Sequence, residues 1–152
     1  RGQLQQVIDR ALVAAGLPNG KLRIRRVLAE EEVEVETDLE RLTQVFINLI
    51  ANANKYCLAA DPTLRVRVER SGGMVNVDFI DNGIPLAEEE QTLIFEKFSR
   101  LSDEGKAGGA GLGLAICHQI MESLGGSIIY LPGQGGPAFR VSLPMARSLA
   151  AQ

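Results

Sequence analysis

The sequence predicts an α/β (α+β) domain, and three observations predict it. Residues 38–56 keep a helical spacing of apolar side chains without interruption; residues 64–70 and 74–80 alternate apolar and polar as strands do; and glycine-rich segments punctuate the C-terminal half. With 152 residues, 45% of them hydrophobic and 23% charged, the chain is long enough for a single domain with a substantial core. A net charge of −3 and a pI near 5.2 give no basic footprint, so nucleic acid is not expected as a partner. No apolar run is long enough to span a membrane and no signal-peptide pattern is present, so no direct membrane contact is expected. The chain opens on Arg1 rather than methionine, as a fragment of something longer would.

The first element is a helix over residues 3–15, where Leu4, Val7, Ile8, Ala11, Leu12 and Ala15 share a stripe that ends at Gly16 and the turn Pro18-Asn19-Gly20. A strand is expected over Lys21 to Leu28 and a short second one over Val33 to Glu36, separated by Glu30-Glu31-Glu32, read as a solvated loop. The helix over 38–56 follows, with Asp38 as its N-cap and Leu39, Leu42, Phe46, Leu49 and Ala53 as its buried stripe. After the turn at Asp61-Pro62, the two alternating runs form an antiparallel hairpin joined by Ser71-Gly72-Gly73. Residues 88–100 begin as an acidic helical turn and lead through Phe95 and Phe98 to Arg100. Residues 101–109 have almost no apolar content and read as a mobile loop or lid. A helix over Leu112 to Leu124, capped by Gly125, precedes two closing strands, Ser127 to Leu131 and Ala138 to Leu143. Gly135 and Gly136 fall between those strands, where turn geometry accounts for them, and Met145 to Gln152 reads as a frayed tail.

Three segments carry possible chemistry. At about 100° per residue, Asn48, Asn52 and Lys55 share the helix face opposite Phe46. Asparagine is a weak helix former, amide oxygens suit a hard cation such as Mg²⁺, and a lysine beside them suits a phosphate. On this helix alone, an ordinary solvated face is the favoured reading. Asp81-Asn82-Gly83 sets a carboxylate at the mouth of the sheet before a tight turn, where it can accept a hydrogen bond from a ligand amine or simply serve the turn. Gly108-Gly109-Ala110-Gly111-Leu112-Gly113 opens a helix with four glycines, either to let backbone N–H groups approach a phosphate or to hinge the lid. It matches neither GxxxxGK[ST] nor GxGxxG after a strand, so Walker-type and dinucleotide folds are disfavoured. Cys57 and Cys117 lack CxxC spacing and sit in helical patterns, as buried reduced thiols do. His118, the single histidine, lies inside the last helix and reads as an ordinary helix residue.

Taken together, NLIANANKY, DNG, FEKF and GGAGLGLAI, in that order over residues 38–144, resemble the ATP-binding catalytic domain of two-component sensor histidine kinases, in the GHKL superfamily. The resemblance implies a Bergerat-type two-layer sandwich: a mixed, mostly antiparallel sheet of about five strands with three helices on one face and ATP held between helices and a lid. It implies a single domain over 1–152, with core 21–144, an N-terminal helix and turn over 1–20 and a tail over 145–152. It further implies Mg²⁺ on Asn52, with Asn48 lining the same pocket near the phosphates, Lys55 reaching a phosphate, and Tyr56 beside the sugar and base. Asp81 matches the carboxylate that binds the adenine amine, with Gly83 shaping its turn. Gly109, Gly111 and Gly113 border the triphosphate, with Leu112 at the lid hinge, and Arg100 is placed at the γ-phosphate or the partner domain.

The expected activity is transfer of the γ-phosphate of Mg·ATP to a histidine on a separate dimerisation domain, and from there to an aspartate of a response-regulator receiver domain. No phosphoacceptor hairpin is present in this chain, and a cytoplasmic location is expected, the parent protein being possibly membrane-anchored. The related ATPases carry a glutamate where this chain has Asn48; an amide is no general base, so transfer is favoured over hydrolysis. An ATPase or serine kinase of the same superfamily, and a docking domain without nucleotide, are the alternatives. Pro85 departs from the glycine of the usual DxGxG, the lid is short, and Ala110 stands where threonine is common.

Overall fold

The computed structural model describes residues 2–15, 22–27, 33–57, 59–95 and 109–146, without the side chains at 55, 56, 92 and 109–113. Seven strands and four helices alternate within these residues: β1 (Gly2–Gln3), α1 (Leu4–Ala14), β2 (Arg23–Val27), β3 (Glu34–Val35), α2 (Leu39–Tyr56), β4 (Thr63–Ser71), β5 (Met74–Asp81), α3 (Glu88–Leu93), α4 (Gly109–Ser123), β6 (Ser127–Tyr130) and β7 (Ala138–Pro144).

Five strands form one sheet in the order β2-β4-β5-β7-β6, and β1 pairs with β3 apart from it. Only β2 and β4 run parallel; the other three pairings are antiparallel, so the sheet is mixed and mostly antiparallel as expected. Because side chains alternate across a strand, the register fixes two unlike faces. Val66, Phe79 and Phe139 stand in one row, Val68, Val77 and Val141 in another, and these apolar rows face the helices. On the opposite face the corresponding row is Arg67, Asp78 and Arg140.

Helix α2 forms where its periodicity places it. Asp38 accepts a hydrogen bond from the Arg41 N–H at 3.2 Å, which satisfies one of the free donors of the first turn. Leu42, Val45, Phe46, Leu49, Ile50 and Ala53 are buried, and Phe46 meets Phe79 of β5 with ring centroids 5.2 Å apart. Thr43 is buried too, its hydroxyl satisfied by the Leu39 carbonyl one turn back at 2.7 Å. α1 packs on one flank of α2 and α4 on the other. Burying Phe46, Leu42 and Ile50 removes enough apolar area to contribute about 1.5–3 kcal/mol each, so this helix anchors the helical layer.

Several boundaries differ from the sequence reading. β1 is new: two residues give no periodic signal, and pairing with β3 alone defines them. α4 starts at Gly109 rather than Leu112, so Gly109, Gly111 and Gly113 are in its first turns instead of ahead of it. Its far end matches expectation: Gly125 has φ +81, its N–H reaches Glu122 O, and the Gly126 N–H reaches Met121 O, the paired bonds of a glycine-capped helix end. Residues 145 and 146 are not frayed, since the Met145 N–H donates to Gly73 O and the Ala146 N–H to Glu34 O. Residues 147–152, the proposed lid at 101–108, and Phe98 and Arg100 lie outside the described residues.

Candidate functional site

The C-terminal end of α2 and the end of β5 meet at one corner of the sandwich. Asp81 is the last residue of the central strand β5, half-buried at the end of the sheet, and its carboxylate Oδ1 accepts the Gly83 N–H at 2.7 Å while its own N–H donates to Pro137 O at 3.0 Å. Burial pushes the Asp81 carboxyl above its ordinary value, opposed by the Gly83 N–H and then by the Cys57 thiol. A carboxylate held this way keeps lone pairs for a donor arriving from outside. Gly83 is required by space: a Cβ there would lie 2.9 Å from Asp81 Oδ1 and 3.6 Å from Cys57 Sγ.

Three further residues hold this corner in shape, Asn82 from within the turn and Cys57 and Gly136 from segments the sequence did not link to it. Asn82 Oδ1 accepts from the Thr63 N–H at 2.9 Å and from the Cys57 thiol at 3.2 Å, while its Nδ2 donates to Asp61 O at 2.9 Å. The sequence reading of Cys57 as a buried thiol within a helix is corrected: it is the half-buried C-cap of α2. Gly136 is the third. A Cβ at that position would sit 2.0 Å from Asp81 O and 3.1 Å from Gly83 O, so the β6–β7 turn presses on the Asp81 turn with backbone against backbone. The signal in the sequence was the second of two adjacent glycines, only the first of which, Gly135, has the positive φ a turn requires.

The amide face of α2 divides into two unlike residues. Asn48 is engaged at both ends, its Oδ1 accepting from Gln44 Nε2 at 3.1 Å and its Nδ2 donating to Cys117 Sγ of α4 at 3.5 Å. Asn52, one turn on and half-buried, has no hydrogen-bond partner among the described residues. Helix geometry sets Lys55 on the same face and Tyr56 at the last helical position, but their side chains, like those at 109–113, lie outside the described set. The structure thus brings Asn52, Asp81 and Gly83 to two adjoining elements and gives Asn48 a packing role. It leaves Lys55, Tyr56, Gly109, Gly111, Leu112 and Gly113 placed by their helices alone.

Cys117 is the buried thiol that was expected. Its Sγ lies 3.9 Å from Val45 O, and burial pushes its pKa up to about 11. Pro85 is exposed in the irregular link 84–87 beside Ile84, and the next N–H, that of Leu86, donates to the Tyr130 hydroxyl at 3.0 Å. Phe95 packs edge-on to Phe139 and within 5.7 Å of the His118 ring, which places His118 on α4 as a packed helix residue.

A mixed five-stranded sheet with helices on one face, and a carboxylate-glycine turn beside an asparagine-bearing helix, define the Bergerat class of nucleotide-binding sandwich. The family model for histidine kinase-, DNA gyrase B- and HSP90-like ATPases matches residues 37–147, and the chain belongs to that family. Within it, the similarity is to the catalytic domains of sensor histidine kinases. The chain is 34% identical over 142 residues to the sensor protein KdpD of Escherichia coli K12, covering 93% of this chain and 16% of that protein. The mycobacterial sensor histidine kinase MprB superposes with a TM-score of 0.81 at 25% identity, over 97% of this chain and 99% of that one. The histidine kinase ThkA, in a crystal structure with the response regulator TrrA, superposes with a TM-score of 0.78 at 26% identity, over 95% of this chain and 41% of that one. The chain spans less than a third of the length of the curated relatives it matches. No described helix is long and apolar enough to cross a membrane.

Proposed function

We propose that this chain binds Mg·ATP and donates the γ-phosphate to a histidine on a separate dimerisation domain, from which it passes to a receiver-domain aspartate of a response regulator. The observation that carries the reading is Asp81: a half-buried carboxylate at a sheet mouth, positioned through its Oδ1 by the Gly83 N–H at 2.7 Å, fits an exocyclic adenine amine. Asn52, whose amide has no partner among the described residues, fits Mg²⁺, which takes few protein ligands and completes its shell with phosphates and water. Asn52 would hold the ion, which when bound would supply positive charge against that developing on the phosphates. Lys55 is assigned to a phosphate, Tyr56 to the sugar and base, the helical turn Gly109–Gly113 with Leu112 to the triphosphate, and Arg100 to the γ-phosphate or the partner domain.

Transfer rather than hydrolysis is supported by Asn48. An amide is no general base, and both ends of this one already hold hydrogen bonds, so the nucleophile is assigned to another domain. The receiver-domain partner is supported by the ThkA–TrrA complex, and a cytoplasmic location by the need for ATP. The test is calorimetric titration of a non-hydrolysable ATP analogue, with and without Mg²⁺, into this chain and into Asp81→Asn. Loss of a charged hydrogen bond weakens binding by about ten- to a hundredfold. Equal affinity in the two proteins refutes the adenine assignment, and steady hydrolysis by the isolated chain refutes the transfer reading.

A further inference from the structure

The sheet face turned away from the helices is basic, although the chain as a whole carries −3. Alternation along β2 and β4 puts Arg23, Arg25, Arg65 and Arg67 on that face, and the β5–β7 register adds Arg140. Arg26, one residue out of phase, points the other way and pairs with Asp9 of α1, which confirms the assignment of faces. Three carboxylates answer the five guanidiniums. Asp78, wholly buried, accepts from Arg67 at 2.7 Å and from Arg140 at 2.8 Å; Glu69 lies 3.9 Å and 3.8 Å from the same two; Asp61 lies 3.4 Å from Arg23.

Arg25 and Arg65 are left over. They are direct cross-strand partners, an arrangement that destabilises a sheet when the charges are alike, and neither pairs with a carboxylate among the described residues. Arg65 Nε is, in addition, shielded from solvent and has no acceptor among the described residues.

We propose that this face docks an acidic protein segment in extended conformation, with Arg25 and Arg65 as its central anchors. Arg25 and Arg65 stand opposite each other on neighbouring strands, about 4.7–4.9 Å apart along the hydrogen-bonding direction, so one acidic side chain of an extended segment laid on the face can reach both guanidiniums. The planar guanidinium fork takes such carboxylates two bonds at a time. A polyanion such as nucleic acid or an anionic bilayer is disfavoured, because the chain's overall negative charge repels it at long range, whereas a short acidic segment needs only local complementarity. The face lies across the sheet from α2, so this site is separate from the nucleotide corner.

The test is fluorescence anisotropy with a labelled peptide of alternating glutamate and serine, using the 152-residue chain at low and physiological salt. Binding that weakens with salt, and that falls about tenfold in Arg25→Ala and further in the double variant with Arg65→Ala, supports the site. Arg10→Ala on α1 is the control and leaves binding unchanged. Arg25→Glu, at an exposed edge-strand position, keeps the test valid should Arg65→Ala lower stability. The proposal is overturned if the peptide does not bind, if Arg10→Ala weakens it as much as Arg25→Ala, or if single-stranded DNA or phosphatidylserine vesicles bind this face more tightly than the peptide.

Discussion

Replacing Gly136 by alanine tests the link between the closing hairpin and the candidate adenine turn. The added methyl would stand 2.0 Å from Asp81 O, 3.0 Å from Asp81 C and 3.1 Å from Gly83 O, all backbone atoms with no rotamer to yield. Either the β6–β7 turn lifts away or the Asp81–Gly83 turn shifts, and the Asp81 N–H bond to Pro137 O at 3.0 Å is strained in both cases. Overpacking of this kind costs about 1–3 kcal/mol. For a domain of this size, each kcal/mol lowers Tm by roughly 2–4 °C, so a fall of about 3–10 °C is expected. Gly135→Ala is the matched comparison. Its methyl meets nothing within 4 Å, and only the positive φ of 86° is costly, about 1 kcal/mol for a residue with a Cβ. The assay is thermal unfolding followed by nucleotide titration of the folded protein: Gly136→Ala should lose both stability and affinity, Gly135→Ala a little stability only. If Gly136→Ala keeps the parent Tm and affinity, the two turns are not in the contact described and the reasoning fails.

Other consequences are testable more briefly. Phe46→Ala removes a fully buried ring and its contact with Phe79; a loss of about 3–5 kcal/mol is expected from the urea midpoint, a large share of a typical stability of roughly 5–15 kcal/mol. Thiol labelling of the native chain at pH 8 should modify Cys57 first, since Cys117 is wholly buried and a pKa of about 11 leaves roughly one thiolate in a thousand; an ATP analogue should slow the Cys57 reaction, and fast labelling of both would contradict the α2–α4 packing. For Asp81, the folded carboxyl holds its proton to a higher pH than the unfolded one, so stability relative to Asp81→Asn should fall as pH rises from the ordinary value of 3.8 through the raised one. Nucleotide affinity should move the opposite way, lost as pH drops through the raised value because an adenine amine needs the ionised acceptor; a pH-independent difference between the two proteins would count against the burial described.

The sequence displays most of the fold because its signals are local. α2 is legible from 18 residues of unbroken periodicity, and the β4–β5 hairpin from alternation on both sides of two glycines. β1 is illegible for the opposite reason, since two residues carry no period and only the partner strand β3 makes them a strand. The corner around Asp81 is half legible. Asp81-Asn82-Gly83 is a visible turn, but Cys57, Thr63 and Gly136 reach it from three other segments, and no spacing rule relates them. Charge is the clearest case of an average concealing a pattern. A net −3 shows no basic footprint, while strand alternation gathers five arginines onto one face.

Asn48 and Asn52, on one face of α2, show where residue type alone misleads. In the sequence they are equivalent, one turn apart on one face, and both suit a cation. In the fold, Asn48 gives its Nδ2 to Cys117 Sγ, and Cys117 in turn approaches Val45 O, so two groups of α2 fix one residue of α4. Cys117 is four residues, about one helical turn, beyond Gly113, so this anchor sets where the glycine-rich start of α4 stands relative to α2. We infer that Asn48 acts on the nucleotide site by positioning that turn, and that the cation falls to Asn52, whose amide the described protein leaves unused. The two roles separate on substitution. Asn52→Ala should abolish the Mg²⁺-dependent part of nucleotide affinity with little change in stability, whereas Asn48→Ala should lower stability and weaken binding equally with and without Mg²⁺. Identical behaviour of the two variants would return both amides to the same role.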